Sequence, residues 1–463
     1  MRRLLLTCIV LTVLMVGPAS GRTLLVPEEY PGIQAAIMDA NDGDMVVVSP
    51  DEYYETIHFG GRNIIVTSID PNDPEIVEET VIIGDEEGST VIFENGETRA
   101  AVLRGFTITG GYGTPVPELF GTEIYWGTGI FIKESSPTIM QCVVEDNHGP
   151  FIFESGNEQV GYGGAIATIL SDALITNNIL RDNSCYAGAG IMTYMGDPLI
   201  RNNLIHNNSA FVGGGVVLFG GRLLNNTIVA NNVDLGIQYG QLGFAGNIYT
   251  EYDSQFLSRS RVIGNIIALA ATGGGMYHNG LAAEDIAYNN VWGNTPGNYL
   301  SQQPGVGEVV YDGPSSRTGI SGNISADPLF VAAGWGDYRI QEGSPCISAG
   351  DPTYVPDAYE TDIEGDPRIY AVLIDIGADE FVGYIHPVAD AGPDQHLLAP
   401  GPVTLDGSNS FFYDPQGETE YLWEQTEGPP VSLTDEDSAT PSFDAPEFGR
   451  YIFELVVGDG TGL

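Results

Sequence analysis

Short apolar runs, each bounded by glycine or asparagine, recur at regular intervals along the middle of the chain. Gly-Gly-Ala-Ile at residues 163–166 is followed by Gly-Ala-Gly-Ile at 188–191 and Gly-Gly-Gly-Val at 213–216, so successive copies are 25 residues apart. A second unit, Asn-Asn-Ile-Leu at 177–180, returns as Asn-Asn-Leu-Ile at 202–205. A period of this length predicts a solenoid in which each coil buries its apolar edge only against its neighbours.

The apolar runs predict strands rather than helices. Leu174-Ile175 and Leu199-Ile200 are too short to form a helix, and repeats built of two helices need roughly 30 residues or more. Glycine and asparagine supply left-handed or tight corners between strands, and asparagines stacked on successive coils can form a ladder of amide hydrogen bonds. The sequence therefore predicts an all-β parallel β-helix with about three short strands per coil.

Composition divides the chain into three parts. Residues 1–21 combine a positive start, an apolar stretch and a small-residue end, which predicts a secretory signal peptide. Residues 22–383 carry the repeat; a short helix is predicted at 30–40 as a cover for the first coil, and the last coils and a C-terminal cap are predicted at 295–383. Residues 384–463 form a separate module. After the signal peptide no segment approaches about 18 consecutive apolar residues, so no transmembrane segment is expected in the mature chain.

Motifs in the repeat region resemble those of a known family. Gly-Phe-Thr-Ile-Thr-Gly-Gly at 105–111, Asp-Pro-Leu-Phe at 327–330 and Asp-Ile-Gly-Ala-Asp-Glu-Phe at 375–381 are similar to segments of secreted bacterial right-handed parallel β-helix proteins of the pectin-lyase-like group. The resemblance implies a right-handed coil and a protein that is secreted or held at the bacterial cell surface. It leaves the activity open, because lyases, hydrolases, esterases and non-enzymatic surface proteins share this fold.

The C-terminal module resembles a second family. Ala-Asp-Ala-Gly-Pro-Asp at 389–394, Val-Thr-Leu-Asp-Gly-Ser at 403–408 and Tyr-Leu-Trp-Glu-Gln at 421–425 are similar to segments of PKD-type, immunoglobulin-like β-sandwich domains. The turn Gly-Asp-Gly at 458–460 would lead into a final strand beyond residue 463. We therefore expect residues 384–463 to form a PKD-type β-sandwich that lacks its last strand.

The charge balance narrows the range of partners. The chain has 16 Lys and Arg against 62 Asp and Glu, a net charge of −46 at pH 7, and Lys133 is its single lysine. Such a surface repels nucleic acid and anionic membranes, whose binding depends on Lys and Arg. It suits divalent cations such as calcium, which prefer carboxylate and carbonyl oxygens. We expect no nucleic-acid partner, a monomeric protein, and calcium as the candidate cofactor.

The cysteines do not indicate a disulfide framework. Outside the predicted signal peptide the chain has Cys142, Cys185 and Cys346, an odd number. When the repeats are aligned, Cys142 falls in the column of Asn178, whereas Cys185 falls in the bend after the following strand. Because these two cysteines do not stack, we expect no disulfide between them.

Aligning the coils also brings polar side chains into two adjacent files on the outside of the coil. The first file contains Glu145, Arg181 and His206, and the second contains Asp146, Asp182 and Asn207. Asp146 and Asp182 would repel each other unless a cation neutralised them, which makes them a candidate calcium site. Arg181, Asp182 and His206 are the candidate catalytic residues of a polysaccharide lyase or hydrolase. The alternative is a solvated edge with a Glu145–Arg181 salt bridge.

Aromatic residues are concentrated in two interruptions of the repeat. Residues 112–126 contain Tyr125 and Trp126, and residues 236–261 contain Tyr249 and Tyr252. Aromatic rings stack on the apolar faces of sugars, so these four residues are candidates for glycan binding. The alternative is that the rings fold back and cover the edges of the coil.

Two functions from different classes follow from these observations. The favoured one is a secreted or cell-surface protein that binds extracellular polysaccharide or cell-surface glycan in an adhesion or scaffold role. The alternative is a polysaccharide lyase or glycoside hydrolase that acts in a groove along the coil. Few Lys and Arg are available to bind an acidic substrate, which weighs against a lyase, and a hydrolase needs converging carboxylates. Whether the protein is an enzyme stays open on sequence alone.

Overall fold

The computed structural model describes residues 21–116, 123–154, 157–233, 245–251, 259–302, 309–312, 316–370, 373–383, 389–395, 400–410 and 420–458. Backbone contacts divide the chain into two units, Met1–Ile369 with Leu373–Glu380, and Tyr370–Val372 with Phe381–Leu463. In the described ranges no helix has the length and apolar character that crossing a membrane requires.

The first unit is a coil of short strands stacked into four sheets, named sheets 1 to 4 in the order in which one coil passes through them. Sheet 1 contains Thr23–Val26, Met45–Val48, Ile65–Ser68, Val102–Arg104, Thr138–Met140, Leu174–Thr176, Leu199–Arg201, Gly221–Leu224, Ser260–Ile263 and Ile286–Ala287. Sheet 2 contains Asp51–Tyr54, Thr80–Ile83, Thr107–Thr109, Val143–Glu145, Ile179–Arg181, Leu204–His206, Thr227–Val229, Ile266–Ala268 and Asn290–Trp292. Sheet 3 contains Thr114–Pro115, Glu123–Trp126, Phe151–Glu154, Asn157–Tyr162, Ser184–Ala187, Ser209–Val212 and Asn232–Val233. Sheet 4 contains Ile57–His58, Val91–Phe93, Ile130–Lys133, Ile166–Ile169, Ile191–Tyr194, Val216–Phe219, Ile248–Glu251, Met276–Asn279, Tyr299–Gln302 and Val309–Tyr311.

The pairing within these sheets is parallel except at a few edges. Thr114–Pro115, Phe151–Glu154 and Val309–Tyr311 pair antiparallel with their neighbours. The helical elements are short: Ile33–Asp39, Pro74–Glu79, and the 3₁₀ turns Ala283–Asp285 and Ala333–Trp335. The fold is therefore the predicted parallel β-helix.

The central coils contain four strands, so the prediction of about three was too low. One coil passes from Leu174–Thr176 through Ile179–Arg181 and Ser184–Ala187 to Ile191–Tyr194. The additional strand is Ser184–Ala187, in which half-buried and buried residues alternate. Its sequence, Ser-Cys-Tyr-Ala, lacks a β-branched aliphatic residue, which is why the pattern assigns Cys185 to a bend.

Two ladders of asparagine side chains run along the coil, as the repeated asparagine columns predict. The first lies between sheets 1 and 2, where Asn178 donates its Nδ2–H to Oδ1 of Asn203 at 2.9 Å. The backbone N–H of Cys142 donates to Oδ1 of Asn178 at 3.0 Å, which confirms that this cysteine lies in the asparagine column. The first ladder contains Asn178, Asn203, Asn226, Asn265, Asn289 and Asn323. The second starts between sheets 2 and 3, and its members Asn247 and Asn298 directly precede strands of sheet 4. It contains Asn147, Asn183, Asn208, Asn231, Asn247, Asn294 and Asn298.

Aliphatic side chains fill the interior of the coil in files that follow the strand register. One file, from sheet 1, contains Ile139, Ile175, Ile200, Leu223, Val262 and Ile286, all fully buried. At the N-terminal end, Ile33, Ala36 and Ile37 of the first helix are buried in the same core. This helix confirms the predicted cover of the first coil, where an open end of the core would otherwise meet water.

The cysteines are buried and free, as expected. Cys142, Cys185 and Cys346 form no disulfide in the described part of the chain. Burial raises the pKa of each thiol to about 12. These thiols are therefore protonated and unreactive in the folded protein.

The segment predicted as a C-terminal cap lies instead along the side of the coil. In the flank segment, defined as residues 336–369 and 373–380, the backbone N–H of Ala378 donates to Oγ1 of Thr227 at 3.0 Å. The N–H of Gly377 donates to the carbonyl of Gly264 at 2.8 Å. The prediction was wrong for this segment because its hydrogen-bonding groups are matched to groups on the outer surface of the coil, and apolar side chains such as Ile374 and Ile376 are buried there as well.

Arg201 shows how strongly the flank segment is tied to the coil. Its side chain is largely buried, and Nη1 lies 2.7 Å from Oε2 of Glu360 and 2.9 Å from Oδ2 of Asp357. Nδ2 of the neighbouring Asn202 donates to Oε1 of Glu360 at 3.0 Å. Removing one partner of such a buried pair leaves an uncompensated charge, which costs about 3–5 kcal/mol.

Carboxylates of the flank segment hold its own backbone in place. Asp362 is buried and accepts hydrogen bonds from the backbone N–H groups of Glu364, Asp366 and Glu380 at 2.8–2.9 Å. Glu380 lies 3.5 Å from the buried guanidinium of Arg368. These contacts give the buried carboxylates of the flank segment a structural hydrogen-bonding role.

The second unit contains antiparallel strand pairs. Gly401–Thr404 pairs with Ser442–Ala445, and Glu420–Glu427 pairs with Ile452–Gly458. Trp423 is buried, and its Nε1–H donates to the carbonyl of Ser438 at 3.1 Å. The pairing is that of a small antiparallel β domain, as the sequence predicts.

Candidate functional site

A groove runs along the outer face of sheet 2 and encloses about 470 Å³, a volume within the range of small-molecule sites. We call it the flank groove. Its floor consists of Val143, Ile179, Leu204 and Thr227, the outward-facing first residues of four successive strands. Residues 71–78 form one wall, and residues 336–339, 361–365 and 378–379 of the flank segment form the other.

Arg181 is the predicted catalytic residue that lines this groove. The strand register places it between Glu145 and His206, which confirms the predicted file. Its Nε–H donates to Oε2 of Glu145 at 2.6 Å, so the predicted salt bridge is present. The terminal Nη1 and Nη2 groups have no hydrogen-bond partner among the described residues. Arg181 can therefore donate to a ligand in the groove while Glu145 fixes its orientation.

His206 belongs to the same file but does not line the groove. Only 5% of it is exposed, and its ring lies 5.3 Å from the ring of Tyr338. Burial, with a smaller contribution from Arg181, lowers the pKa of His206 to about 4. The imidazole is therefore neutral near pH 7 and covered by the flank segment in this structure.

Asp146 and Asp182 lie at left-handed corners, with φ of 51° and 56°, one residue after the strands that carry Glu145 and Arg181. Both are exposed. Burial of its carboxyl, and then the charge of Asp146, raise the pKa of Asp182. Two carboxylates would supply a minority of the six to eight or so oxygen ligands that calcium takes. Among the residues described, no group of three or more His, Cys, Asp and Glu is arranged to hold a metal ion.

The flank segment contributes further ionisable groups to the groove. Nη2 of Arg339 lies 2.7 Å from Oδ2 of Asp337, and its Nη1 lies 3.4 Å from Oε1 of Glu364. Asp379 is buried and accepts a hydrogen bond from the backbone N–H of Ile340 at 2.7 Å. Burial raises the pKa of Asp379 to about 7 and also raises the pKa of Glu364. The groove therefore offers one carboxyl group with a pKa of about 7, that of Asp379, on a surface that also carries the available guanidinium of Arg181.

A second surface, on sheets 3 and 4, presents aromatic rings. We define the aromatic stripe as the half-buried residues Tyr162, Tyr186, Tyr194, Phe219 and Tyr249. The Tyr162 and Tyr186 centroids are 5.8 Å apart, and those of Phe219 and Tyr249 are 6.0 Å apart. Tyr194 and Phe219 are register partners on successive coils, which are separated by about 4.8 Å. The rings thus extend over several coils.

Buried side chains connect the two parts of the stripe. Trp126 is fully buried, and its ring lies 5.1 Å from that of Tyr162 and 5.9 Å from that of Tyr194. Tyr249 stacks on Tyr277 at 4.7 Å, with the two rings nearly parallel. The stripe rests on a packed apolar layer, so its rings are held in fixed positions.

The four predicted glycan-binding residues have different environments. Tyr125 packs edge-on against Tyr112 at 5.4 Å. Trp126 is fully buried beneath the stripe. This agrees with the alternative prediction, in which the aromatic rings fold back and cover the edges of the coil. Tyr249 belongs to the stripe, and its hydroxyl donates to Oε2 of Glu251 at 3.0 Å. Tyr252 lies outside the described residues.

Family comparisons agree with the coil. A family model for a right-handed β-helix region matches residues 85–250 and 128–324. The two matches together span residues 85–324, which is 240 of the 463 residues. This chain belongs to the right-handed β-helix family. A second family model, for a PKD domain, matches residues 391–463 of this β-helix protein. The C-terminal module is therefore a PKD domain.

Comparison with individual proteins adds little to the family assignment. The crystal structure of pectate lyase Pel9A matches with 12% identity and a TM-score of 0.34, covering 79% of this chain and 97% of that chain. A likeness this low does not bear on the ligand or the reaction of the β-helix protein. No curated protein sequence matches the chain.

Sequence reasoning missed several residues of these two surfaces. Tyr194 and Phe219 are 25 residues apart, the spacing of the repeat, so the same alignment that placed Arg181 could have placed them in one file. Trp335 and Arg339 lie in the non-repeating part of the chain, and no spacing there indicates that the segment returns to sheet 2. Only the tertiary structure brings Arg339, and the residue that follows Trp335, to the groove.

Proposed function

We propose that this β-helix protein binds uncharged extracellular polysaccharide along the aromatic stripe, without cleaving it, in an adhesion or scaffold role. The observation that supports this is the stripe itself, a row of half-buried rings on successive coils. Glu251 lies beside it and accepts hydrogen bonds from the Tyr249 hydroxyl at 3.0 Å and from Nδ2 of Asn279 at 2.9 Å. Rings and nearby polar groups are the combination that sugars require, since sugars have apolar faces and hydroxyl edges.

The charge of the chain supports an uncharged ligand. With a net charge of −46, the protein repels polyanions over distances comparable to the Debye length. Lys133 is the only lysine of the chain. In sheet 4 it is the register partner of Ile169, which is the register partner of Tyr194, so Lys133 lies two coils away from Tyr194. One lysine gives little compensation, so the proposed ligand is a neutral polymer outside the cell, where a secreted or surface-held protein would meet it.

A polysaccharide lyase or glycoside hydrolase acting in the flank groove is the second candidate. It is supported by Arg181, whose terminal amines are available, and by Asp379, whose raised pKa would let a carboxylic acid donate a proton near neutral pH. In this alternative Asp182 and Asp146 would bind calcium beside the groove, Asp182 would take part in catalysis, and the buried His206 would lie next to Arg181 on the adjacent strand of sheet 2.

The binding proposal is tested by affinity electrophoresis in gels containing glucomannan, xyloglucan, arabinoxylan or mixed-linkage glucan, with polygalacturonate as the charged comparison. We expect retardation by at least one neutral polymer. The double variant Tyr194→Ala/Phe219→Ala should raise the Kd at least about tenfold, because two sugar-contacting rings are lost. Tyr54→Ala and Tyr359→Ala, which remove exposed rings elsewhere, are the controls. Equal retardation of the double variant and the controls would contradict the proposal.

Cleavage is measured on the same polymers as release of reducing ends and of unsaturated products, with calcium and with chelator. The binding proposal predicts that neither product accumulates. Cleavage by the wild type that is abolished both by Asp182→Ala and, separately, by removal of calcium would instead support the second candidate and its metal site.

A further inference from the structure

We infer that the flank groove is a second saccharide-binding site, which takes an uncharged sugar unit independently of the aromatic stripe. The groove lies on sheet 2, whereas the stripe lies on sheets 3 and 4. None of the stripe residues lines the groove. The inference therefore stands on its own geometry and does not rest on the function proposed for the stripe.

An exposed indole on the residue that directly precedes the groove-lining Gly336 is the first observation. Trp335 is 93% exposed, although tryptophan is the largest apolar side chain and is usually covered. It lies at the tip of the hairpin formed by Phe330–Ala332 and Asp337–Ile340, directly before Gly336 and Asp337, which line the groove. Its placement suits a platform for a sugar ring that enters the groove.

The available donors of Arg181 are the second observation. Glu145 holds Nε at 2.6 Å, and the terminal amines have no partner in the described residues. Arg339, in contrast, is held by Asp337 through Nε at 2.9 Å and Nη2 at 2.7 Å, and by Glu364. Arg181 is thus the guanidinium of the groove that can donate to a sugar hydroxyl, and the carboxyl groups opposite it can accept.

The charges that line the groove select against acidic sugars. The basic residues Arg181 and Arg339 face a larger number of acidic ones: Glu78, Asp337, Asp362, Glu364 and Asp379. A uronate carboxylate would be repelled by this excess, whereas neutral hydroxyls can both donate to carboxylates and accept from Arg181. An uncharged pyranose is therefore the ligand class that fits.

Two sites on different sheets would give the protein a property that one site cannot. A molecule that binds one polymer chain at the stripe and another in the groove can cross-link them, and its attachment to a polymer network becomes stronger than either site alone provides. Cross-linking of this kind is a specific form of the scaffold role.

The experiment uses the full chain carrying Tyr194→Ala/Phe219→Ala, so that the stripe makes little contribution. Cellohexaose, mannohexaose and xylohexaose are the probes, with hexagalacturonate as the charged comparison. Acrylamide quenching of tryptophan fluorescence reports on Trp335 once the signal of Trp335→Ala is subtracted, because Trp126 and Trp423 are buried and Trp292 is half-buried. We expect one neutral hexasaccharide to lower the quenching constant at least about twofold.

Calorimetry with the same hexasaccharide then identifies the contacts. Trp335→Ala and Arg181→Gln should each raise the Kd at least about tenfold. Glu145→Gln, which removes the salt bridge but keeps the terminal amines of Arg181, should change the Kd less than about threefold. No protection of Trp335 by any neutral hexasaccharide, stronger protection by hexagalacturonate, or unchanged binding by Arg181→Gln would each overturn the inference. If only the stripe binds sugar, the protein with Tyr194→Ala/Phe219→Ala will not bind the hexasaccharide. Adding Trp335→Ala or Arg181→Gln to that protein will then change nothing, which would also overturn the inference.

Discussion

Replacing Asn208 by alanine is expected to open the coil locally, because this side chain is a central rung of the second asparagine ladder. Asn208 is fully buried. Its Nδ2 donates to the carbonyls of Leu180 at 2.9 Å and His206 at 3.0 Å, and to Oδ1 of Asn231 at 2.9 Å. Its Oδ1 accepts from the backbone N–H and from Nδ2 of Asn183, at 3.1 and 3.0 Å.

The cost follows from the hydrogen bonds that Asn208→Ala removes. The buried backbone N–H of Asn183 loses its acceptor, whereas Nδ2 of Asn183 keeps the carbonyls of Val144 and Arg181, each at 2.8 Å. The carbonyls of Leu180 and His206 each lose the Nδ2 donor of Asn208. An unsatisfied buried donor costs about 2 kcal/mol and each of the two lost hydrogen bonds about 1 kcal/mol, so the total is about 4 kcal/mol. Since about 1.4 kcal/mol corresponds to a factor of ten, local opening should become roughly a thousandfold more frequent.

Hydrogen–deuterium exchange of the full chain, read by mass spectrometry, measures this opening. Peptides that contain residues 183 and 208 should exchange roughly a thousandfold faster in Asn208→Ala, while the first coil, near Val46, should be unaffected because coils couple to their neighbours. The matched control is Asn207→Ala: Asn207 is adjacent and exposed, with φ of 57°, and should cost about 1 kcal/mol. Equal exchange in the two variants would refute the role of the ladder, and so would faster exchange spread evenly over all coils.

Two further predictions concern the flank segment and the thiols. Burial raises the pKa of Asp379 to about 7, so the folded state holds this proton more tightly than the unfolded chain does. The stabilising contribution of the bound proton is complete below the unfolded pKa of about 3.8 and is lost as the pH rises to 7. In urea unfolding, Asp379→Asn should therefore be more stable than the wild type by up to about 4 kcal/mol at pH 8 and by almost nothing at about pH 3.5. A gain that does not depend on pH would contradict this. Cys142, Cys185 and Cys346 should resist alkylation by iodoacetamide at pH 8 in the native protein and react fully in urea, as mass spectrometry of their peptides would show; rapid native labelling would mean that the coil opens at those positions.

The coil could be predicted because its signals are local and repeated. The asparagine columns fix the register, and with it the order of Glu145, Arg181 and His206, since each ladder asparagine must meet the next one. The fourth strand could not be predicted in the same way. Ser184–Ala187 becomes extended because both of its ends are held, by the second ladder and by the glycine corner, although its own residues have little strand preference.

The surroundings of the candidate residues could not be predicted from the repeat. Tyr338 covers His206, and Arg339 reaches the flank groove, only because a non-repeating segment folds back across sheet 2. The segment is held there by long-range pairs such as that of Arg201 with Glu360. No periodicity links such partners, so their contact depends on the tertiary fold.

Hydroxyl-radical footprinting with a bound neutral polysaccharide tests the central claim most directly, because it reports on individual aromatic side chains in the intact protein. The polymer to use is the one that retards the protein most strongly in the gels. The account predicts that oxidation of Tyr194, Phe219 and Tyr249 falls several-fold when this polymer is present, while Tyr54 and Tyr359, exposed elsewhere, are oxidised as before. Unchanged oxidation of the three stripe residues in the presence of bound polymer would contradict it.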